Sequence, residues 1–271
     1  MNSTFNSIKN IIWAIAIAVC LFALIIGLLI ASFNRFRGVR EDFALDLGSA
    51  KVQSVSSDAA VSDMAGLGEL NKLGTTSDAG DEYISRITFL CDSAFINLRE
   101  LGLVGANQVW GSTGGSLSMV DLNTELIKFP NDGSDVSVVN ASMVSKPDIL
   151  LMMLGMDGLT RIDEDTFISN YVTLINDVCA NSPDTKIICC SPASISETYS
   201  GNDYSVGLVS SATQWIQIVC MKTGAYYLDL GEAVGESFQM LAKYSASNGR
   251  SVNRLGLQTC LDYIRTHALL K

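Results

Sequence analysis

The stretch Arg86-Ile-Thr-Phe-Leu-Cys-Asp-Ser-Ala-Phe-Ile-Asn-Leu-Arg-Glu100 decides how the rest of the chain is read. Its apolar run Ile87–Cys91 reads as a short buried strand, Asp92-Ser93 as a sharp turn, and the residues after it as the opening of a helix. A serine at such a turn can stand above a sheet with a helix N-terminus behind it, which is a good place for a nucleophile. Asp and Ser are also common helix caps, so the turn alone does not separate a catalytic serine from a structural one. The deciding question is whether the rest of the chain supplies the partners such a serine needs.

Outward from this stretch, strands and helices alternate. Residues 108–110 start a second strand, and 148–154 form a continuous apolar run of the kind seen in a strand covered on both faces. Phe167, Ile168, Tyr171, Val172, Leu174, Ile175 and Val178 then recur at helical spacing, with Asp163 or Asp165 available as a cap. Lys186–Cys190 is another buried strand, Val206 to Val219 another helix, 225–230 a fifth strand and 257–270 a closing helix. This alternation predicts an α/β fold: a three-layer, doubly wound, parallel five-stranded sheet with helices on both faces. Ligands of such folds sit at the carboxyl ends of the strands, where Ser93 and the segment after Leu154 would meet.

Upstream, residues 11–33 hold no charge and only Ser32 as a polar group, enough at about 1.5 Å per residue to span a bilayer core of about 30 Å. The run is longer than the apolar part of a signal peptide and continues into Phe33-Asn34-Arg35, so it reads as an uncleaved transmembrane helix. The expected organisation is an N-terminal flank (1–10), a single-pass anchor in the lipid bilayer (11–33), a Ser/Ala/Gly/Asp-rich tether (34–80) with room for one short helix near 64–73, and a globular domain (81–271).

Residues 1–40 contain four basic groups and no acid, so the remainder holds the other 14 basic groups and all 28 acidic ones. An acidic domain argues against binding nucleic acid backbones. The three arginines after the apolar run lean toward a cytoplasmic domain. Cys91, Cys179, Cys189, Cys190, Cys220 and Cys260 fall mostly in apolar positions and read as small buried thiols. With one histidine and no Cys-x-x-Cys, no metal site and no cofactor are expected, and Gly111-Ser-Thr-Gly-Gly115 lacks the Gly-Lys-Ser/Thr of a phosphate loop.

Leu90-Cys-Asp-Ser93, Lys146-Pro-Asp-Ile-Leu-Leu-Met-Met-Leu-Gly-Met-Asp-Gly158, Ser182-Pro-Asp-Thr-Lys-Ile187 and Asp262-Tyr-Ile-Arg-Thr-His267 together resemble the landmarks of SGNH (GDSL-type) hydrolases. The likeness is greatest to membrane-tethered forms from anaerobic Gram-positive bacteria and runs from about Asp81 to the C-terminus. It implies a flavodoxin-like SGNH hydrolase fold with Ser93 as nucleophile. It also implies an oxyanion hole built from the Ser93 N–H, a second-block glycine and a third-block asparagine, with a late Asp-x-x-His as base and orienter. The glycine falls on Gly115, with Gly114 or Gly111 as alternatives, and the asparagine position is Asp157.

Three departures follow. The residue before Asp92 is Cys91 where relatives have glycine, and the asparagine has become Asp157. In the late block, Asn248-Gly-Arg-Ser-Val-Asn-Arg-Leu-Gly256 aligns through Gly249, Asn253 and Gly256, so Asn248 stands at the acid and Ser251 at the histidine. His267, the sole histidine, lies in the last helix, where the resemblance shows a non-catalytic histidine.

Loss of one oxyanion donor costs about 10²–10³ in rate, and loss of a triad histidine on the order of 10⁶. The expectation is therefore a membrane-anchored SGNH-hydrolase-like pseudoenzyme that binds an acylated glycan or cell-envelope polymer in the cleft over Ser93, Gly115 and Asp157. The alternative is a working serine esterase or deacetylase whose base is Asp157 or a displaced His267. The family's usual placement puts the domain outside the cytoplasmic membrane, against the lean of the flanking charges.

Overall fold

The computed structural model describes residues 67–112 and 114–270. The expected anchor at 11–33, the flank before it and residues 34–66 of the expected tether lie outside the described residues. Among the described residues no helix is long and apolar enough to cross a membrane.

In chain order the elements are β1 (Asn71–Lys72), α1 (Gly80–Ser85), β2 (Ile87–Cys91), α2 (Asn97–Glu100), β3 (Val109–Trp110), β4 (Leu126–Lys128), β5 (Asp135–Ser137), α3 (Val138–Ser145), β6 (Ile149–Met153), α4 (Glu164–Asn181), β7 (Lys186–Cys190), α5 (Val206–Thr223), β8 (Tyr226–Leu228), α6 (Gly231–Val234), β9 (Gly235–Glu236), β10 (Gln239–Met240) and α7 (Arg254–Thr266). Their ends follow local chemistry. Asp163, Ser205 and Asn253 each accept a backbone N–H three residues on, at 2.8, 3.1 and 2.9 Å, and so open α4, α5 and α7. Of the apolar stripe of α4, Phe167, Ile168, Tyr171, Leu174, Ile175 and Val178 are buried as the spacing predicts, while Val172 is only partly so.

The main sheet is parallel, with strand order β1-β8-β7-β6-β2-β3. Every residue of β6 is buried, so both its faces are covered. Helices α3, α4 and α5 pack in series as one group, while α7 packs with α1 and α6 as another. Leaving β1 aside, the order β3-β2-β6-β7-β8 is the flavodoxin-like 2-1-3-4-5, and the direction of winding reverses beside β2. The loops after β2 and β6, strands that pair from Ile87 opposite Ile149 to Cys91 opposite Met153, therefore open at the switch point.

Two expectations are corrected. The sheet has six strands instead of five, because Asn71 and Lys72 pair with Tyr226 and Tyr227. The N–H groups of Thr76 and Ala79 also bond the carbonyls of Thr266 and Arg265, at 2.6 and 2.9 Å. The segment assigned to the tether's end thus belongs to the folded unit, and residues 71–72 are strand and not helix. A two-residue edge strand pairs through its backbone and leaves no side-chain period to read. The second correction concerns Ser93. Residues 93–96 form turns, with the Phe95 and Ile96 N–H groups on the Asp92 carbonyl, and the helix beyond is the single turn α2.

Candidate active site

The turn after β2 is built around Asp92, which is 1% exposed. One carboxylate oxygen accepts the Ala94 N–H and the other the Met156 N–H, both at 3.0 Å. Asp92 thereby ties the Ser93 turn to the loop after β6, and the Asp92 N–H reaches the Met153 carbonyl at 3.1 Å. Gly111, from the loop after β3, packs so closely that an added Cβ would stand 2.2 Å from Ile96 Cδ1. Cys91, at the family's glycine position, points into the core at 1% exposure.

Burial, reinforced by the charge of Asp157, pushes the Asp92 carboxyl up from 3.8 to about 7. An acid whose folded value is raised adds stability that is complete below its unfolded value and is lost as pH rises through the folded value. The Asp92 contribution should therefore decline between about pH 4 and 7, on the order of 4 kcal/mol in all. Asp163, held down by the Thr166 N–H, and Glu232, held down by its bond to Lys72, work the other way but only at lower pH. Urea midpoints at pH 5 and pH 8 should differ more in the natural chain than in Asp92→Asn. Equal differences in the two chains would disprove this assignment.

Asp157 lies directly over Ser93. Its Oδ1 accepts the Ser93 hydroxyl at 2.6 Å, and its Oδ2 accepts two backbone N–H groups, Ser93 at 2.9 Å and Leu117 at 3.1 Å. The residue is 5% exposed and its own carbonyl accepts the Met119 N–H at 2.8 Å. Two N–H groups converging on one oxygen beside a serine hydroxyl have the geometry by which an oxyanion hole stabilises the charge developing in acyl transfer. Here both donate to a carboxylate of the protein itself.

Of the residues expected to share this site, Ser93 and Asp157 meet as predicted. Gly115 does not join them: it is exposed, at φ 77°, and its N–H bonds the Ser112 carbonyl at 3.0 Å. The second donor is Leu117, two residues on. No feature of the sequence separates it from its neighbours, since a backbone N–H carries no side-chain signature.

The late loop lies against the Ser93 turn, with the Val252 N–H on the Ala94 carbonyl at 3.1 Å. Asn248 Nδ2 donates to Ser251 Oγ at 3.0 Å, linking the two positions where the acid and histidine would pair. Neither side chain can accept a proton from Ser93 as an imidazole would.

His267 is engaged elsewhere. Its ring stacks on Tyr263 at 3.7 Å, and its nitrogens face the Tyr263 carbonyl at 2.9 Å and Thr75 Oγ1 at 3.2 Å. The expectation of a displaced His267 base is not met: its hydrogen-bond partners are Thr75, Thr266 and Tyr263, and the end of α7 accepts the Thr76 and Ala79 N–H groups.

Arg250 and Tyr204 were not anticipated. The Arg250 guanidinium lies over the Tyr204 ring at 4.3 Å, with Nη2 3.8 Å from Asp157 Oδ1. Arg250 stands inside the late block, between Asn248 and Ser251, and that placement is the signal the sequence offers for it.

A serine turn after the first strand of a 2-1-3-4-5 parallel sheet, opposite the loop after the third, defines an SGNH (GDSL-type) hydrolase fold, and this chain has it. Solved structures similar to it include a protein of Streptococcus pneumonia assigned as a platelet activating factor (16% identity over 66% of this chain and 82% of that one, TM-score 0.52). An assigned acylhydrolase of Bacteroides fragilis NCTC 9343 is also similar (13% identity, 79% and 96% coverage, TM-score 0.49), as is a family 3 carbohydrate esterase from Talaromyces cellulolyticus (14% identity, 67% and 90% coverage, TM-score 0.42). No protein-family model and no curated protein matches the sequence. At these identities the likeness is one of fold.

Proposed function

We propose that this chain is a membrane-anchored SGNH-fold protein that does not turn over esters and uses its cleft to bind an acylated glycan or cell-envelope polymer. One observation carries the reading: the Asp157 carboxylate already accepts the Ser93 N–H, expected as an oxyanion donor, together with the Leu117 N–H beside it. A substrate carbonyl reaches those donors only if Asp157 leaves, giving up three hydrogen bonds. If the carboxylate stays nearby, it repels the charge that forms. The charge-free run at 11–33 supports the anchor, and the fold's usual setting supports a domain outside the cytoplasmic membrane.

The 2.6 Å bond from the Ser93 hydroxyl to Asp157 favours a second reading, a working esterase with Asp157 as general base. The same side chain would then have to take the proton through one oxygen while its other oxygen blocks the hole, which weighs against it. The full-length protein in detergent, given 4-nitrophenyl acetate and acetylated xylan, should release no more acetate than its Ser93→Ala variant. It should also leave a fluorophosphonate probe unreacted at Ser93. Ser93-dependent turnover with stoichiometric labelling would establish the esterase instead. Protease accessibility in intact cells tests the side of the membrane.

A further inference from the structure

We propose that Arg250 makes this cleft a receptor for an anionic group on its ligand, the carboxylate or phosphate of an acidic polymer. The inference rests on the reading of the cleft as a binding site and adds the charge of what it binds.

The argument begins with how little of the guanidinium is used. Nη2 donates to Tyr204 Oη at 3.3 Å, and its 3.8 Å separation from Asp157 Oδ1 is too long for a hydrogen bond. Nε is buried and has no acceptor among the described residues. Buried donors are nearly always paired, so one that is not calls for an explanation. Asp157 does not supply it, since three shorter donors already satisfy that carboxylate.

The arginine is nonetheless held in place. Asn248 Oδ1 accepts both the Arg250 and Ser251 N–H groups, at 3.0 and 2.9 Å, fixing the loop. Gly249, at φ 70°, lets that loop close on Tyr199, where a Cβ would stand 2.5 Å from the Tyr199 Cα. The Ser196 N–H bonds the Gly249 carbonyl at 2.9 Å, joining the loop to the segment that carries Tyr199 and Tyr204. Tyr204 is braced in turn by its hydroxyl on the Met156 carbonyl at 2.8 Å. A guanidinium fixed against an aromatic face and partly exposed beside Asp157 keeps N–H groups beyond the one given to Tyr204, and so is preorganised to donate to an oxyanion. The half-exposed Tyr199, edge-on to Tyr204 at 6.2 Å, adds ring surface for a sugar next to that charge.

The test is calorimetric titration of the full-length protein in detergent with three probes: trigalacturonate, glycerol phosphate and neutral xylotriose. At least one anionic probe should bind tenfold or more tighter than xylotriose. Arg250→Lys, which keeps the charge but not the fork, should weaken that binding at least tenfold with an unchanged unfolding midpoint. Trigalacturonate binding alone assigns a carboxylate polymer, and glycerol phosphate binding alone assigns a phosphate polymer. Equal or tighter xylotriose binding, no binding by any probe, or anion binding indifferent to Arg250→Lys would each overturn the inference. Acetate release is measured separately, so the non-hydrolytic reading stands or falls on its own.

Discussion

A chain carrying Asp157→Asn, Asn248→Asp and Ser251→His together is expected to hydrolyse 4-nitrophenyl acetate at least ~10³-fold faster than the natural chain, and adding Ser93→Ala should abolish the gain. The scaffold for this already exists. The Ser93 and Leu117 N–H groups converge on one point, the loop bearing Ser251 is tied to Ala94, and residues 248 and 251 face each other across a 3.0 Å side-chain bond. Asparagine at 157 turns an occupying carboxylate into a donor, histidine at 251 supplies an acceptor for the serine proton, and aspartate at 248 orients the ring. These three act as a unit, so Asp157→Asn alone should gain nothing measurable. If the triple variant folds normally and stays inert, these three positions do not hold activity down, and the proposed reading of the site is wrong.

Asp157→Ala is expected to destabilise the fold by about 3 kcal/mol, because two backbone N–H groups and a hydroxyl lose a buried, charged acceptor at once. Asp157→Asn keeps a polar side chain of the same shape and should cost less, about 1 kcal/mol. The alanine loss should also depend on pH in a particular direction. Above pH 7 the natural chain carries the Asp157 charge beside an ionised Asp92, and alanine relieves that repulsion. At pH 5, where Asp92 holds its proton, there is little to relieve. Denaturant titration should therefore give a smaller loss at pH 8 than at pH 5. A loss that grows with pH would show that Asp92 and Asp157 do not oppose each other.

Much of the fold was legible because buried strands and amphipathic helices write their periods into side chains. The runs at Ile87–Cys91 and Lys186–Cys190 are observed with those bounds, and the run read at 148–154 is Ile149–Met153. The stripe from Phe167 to Val178, Val172 apart, lies buried in one helix capped by Asp163. What failed to register depends on backbone alone: the edge strand Asn71–Lys72, the turns in place of a helix start after Ser93, and the shift of the second donor from Gly115 to Leu117.

The candidate site divides the same way. The sequence by itself determined which residue types stand at 157, 248 and 251, since chemical identity is a property of single residues. Only the tertiary structure decided what those changes do. Contact between loops distant in the chain puts one Asp157 oxygen on the Ser93 hydroxyl and the other on the Ser93 and Leu117 N–H groups, and leaves Arg250 Nε without a partner among the described residues. Which partner a buried polar group finds is set by the convergence of segments, and no local pattern records it.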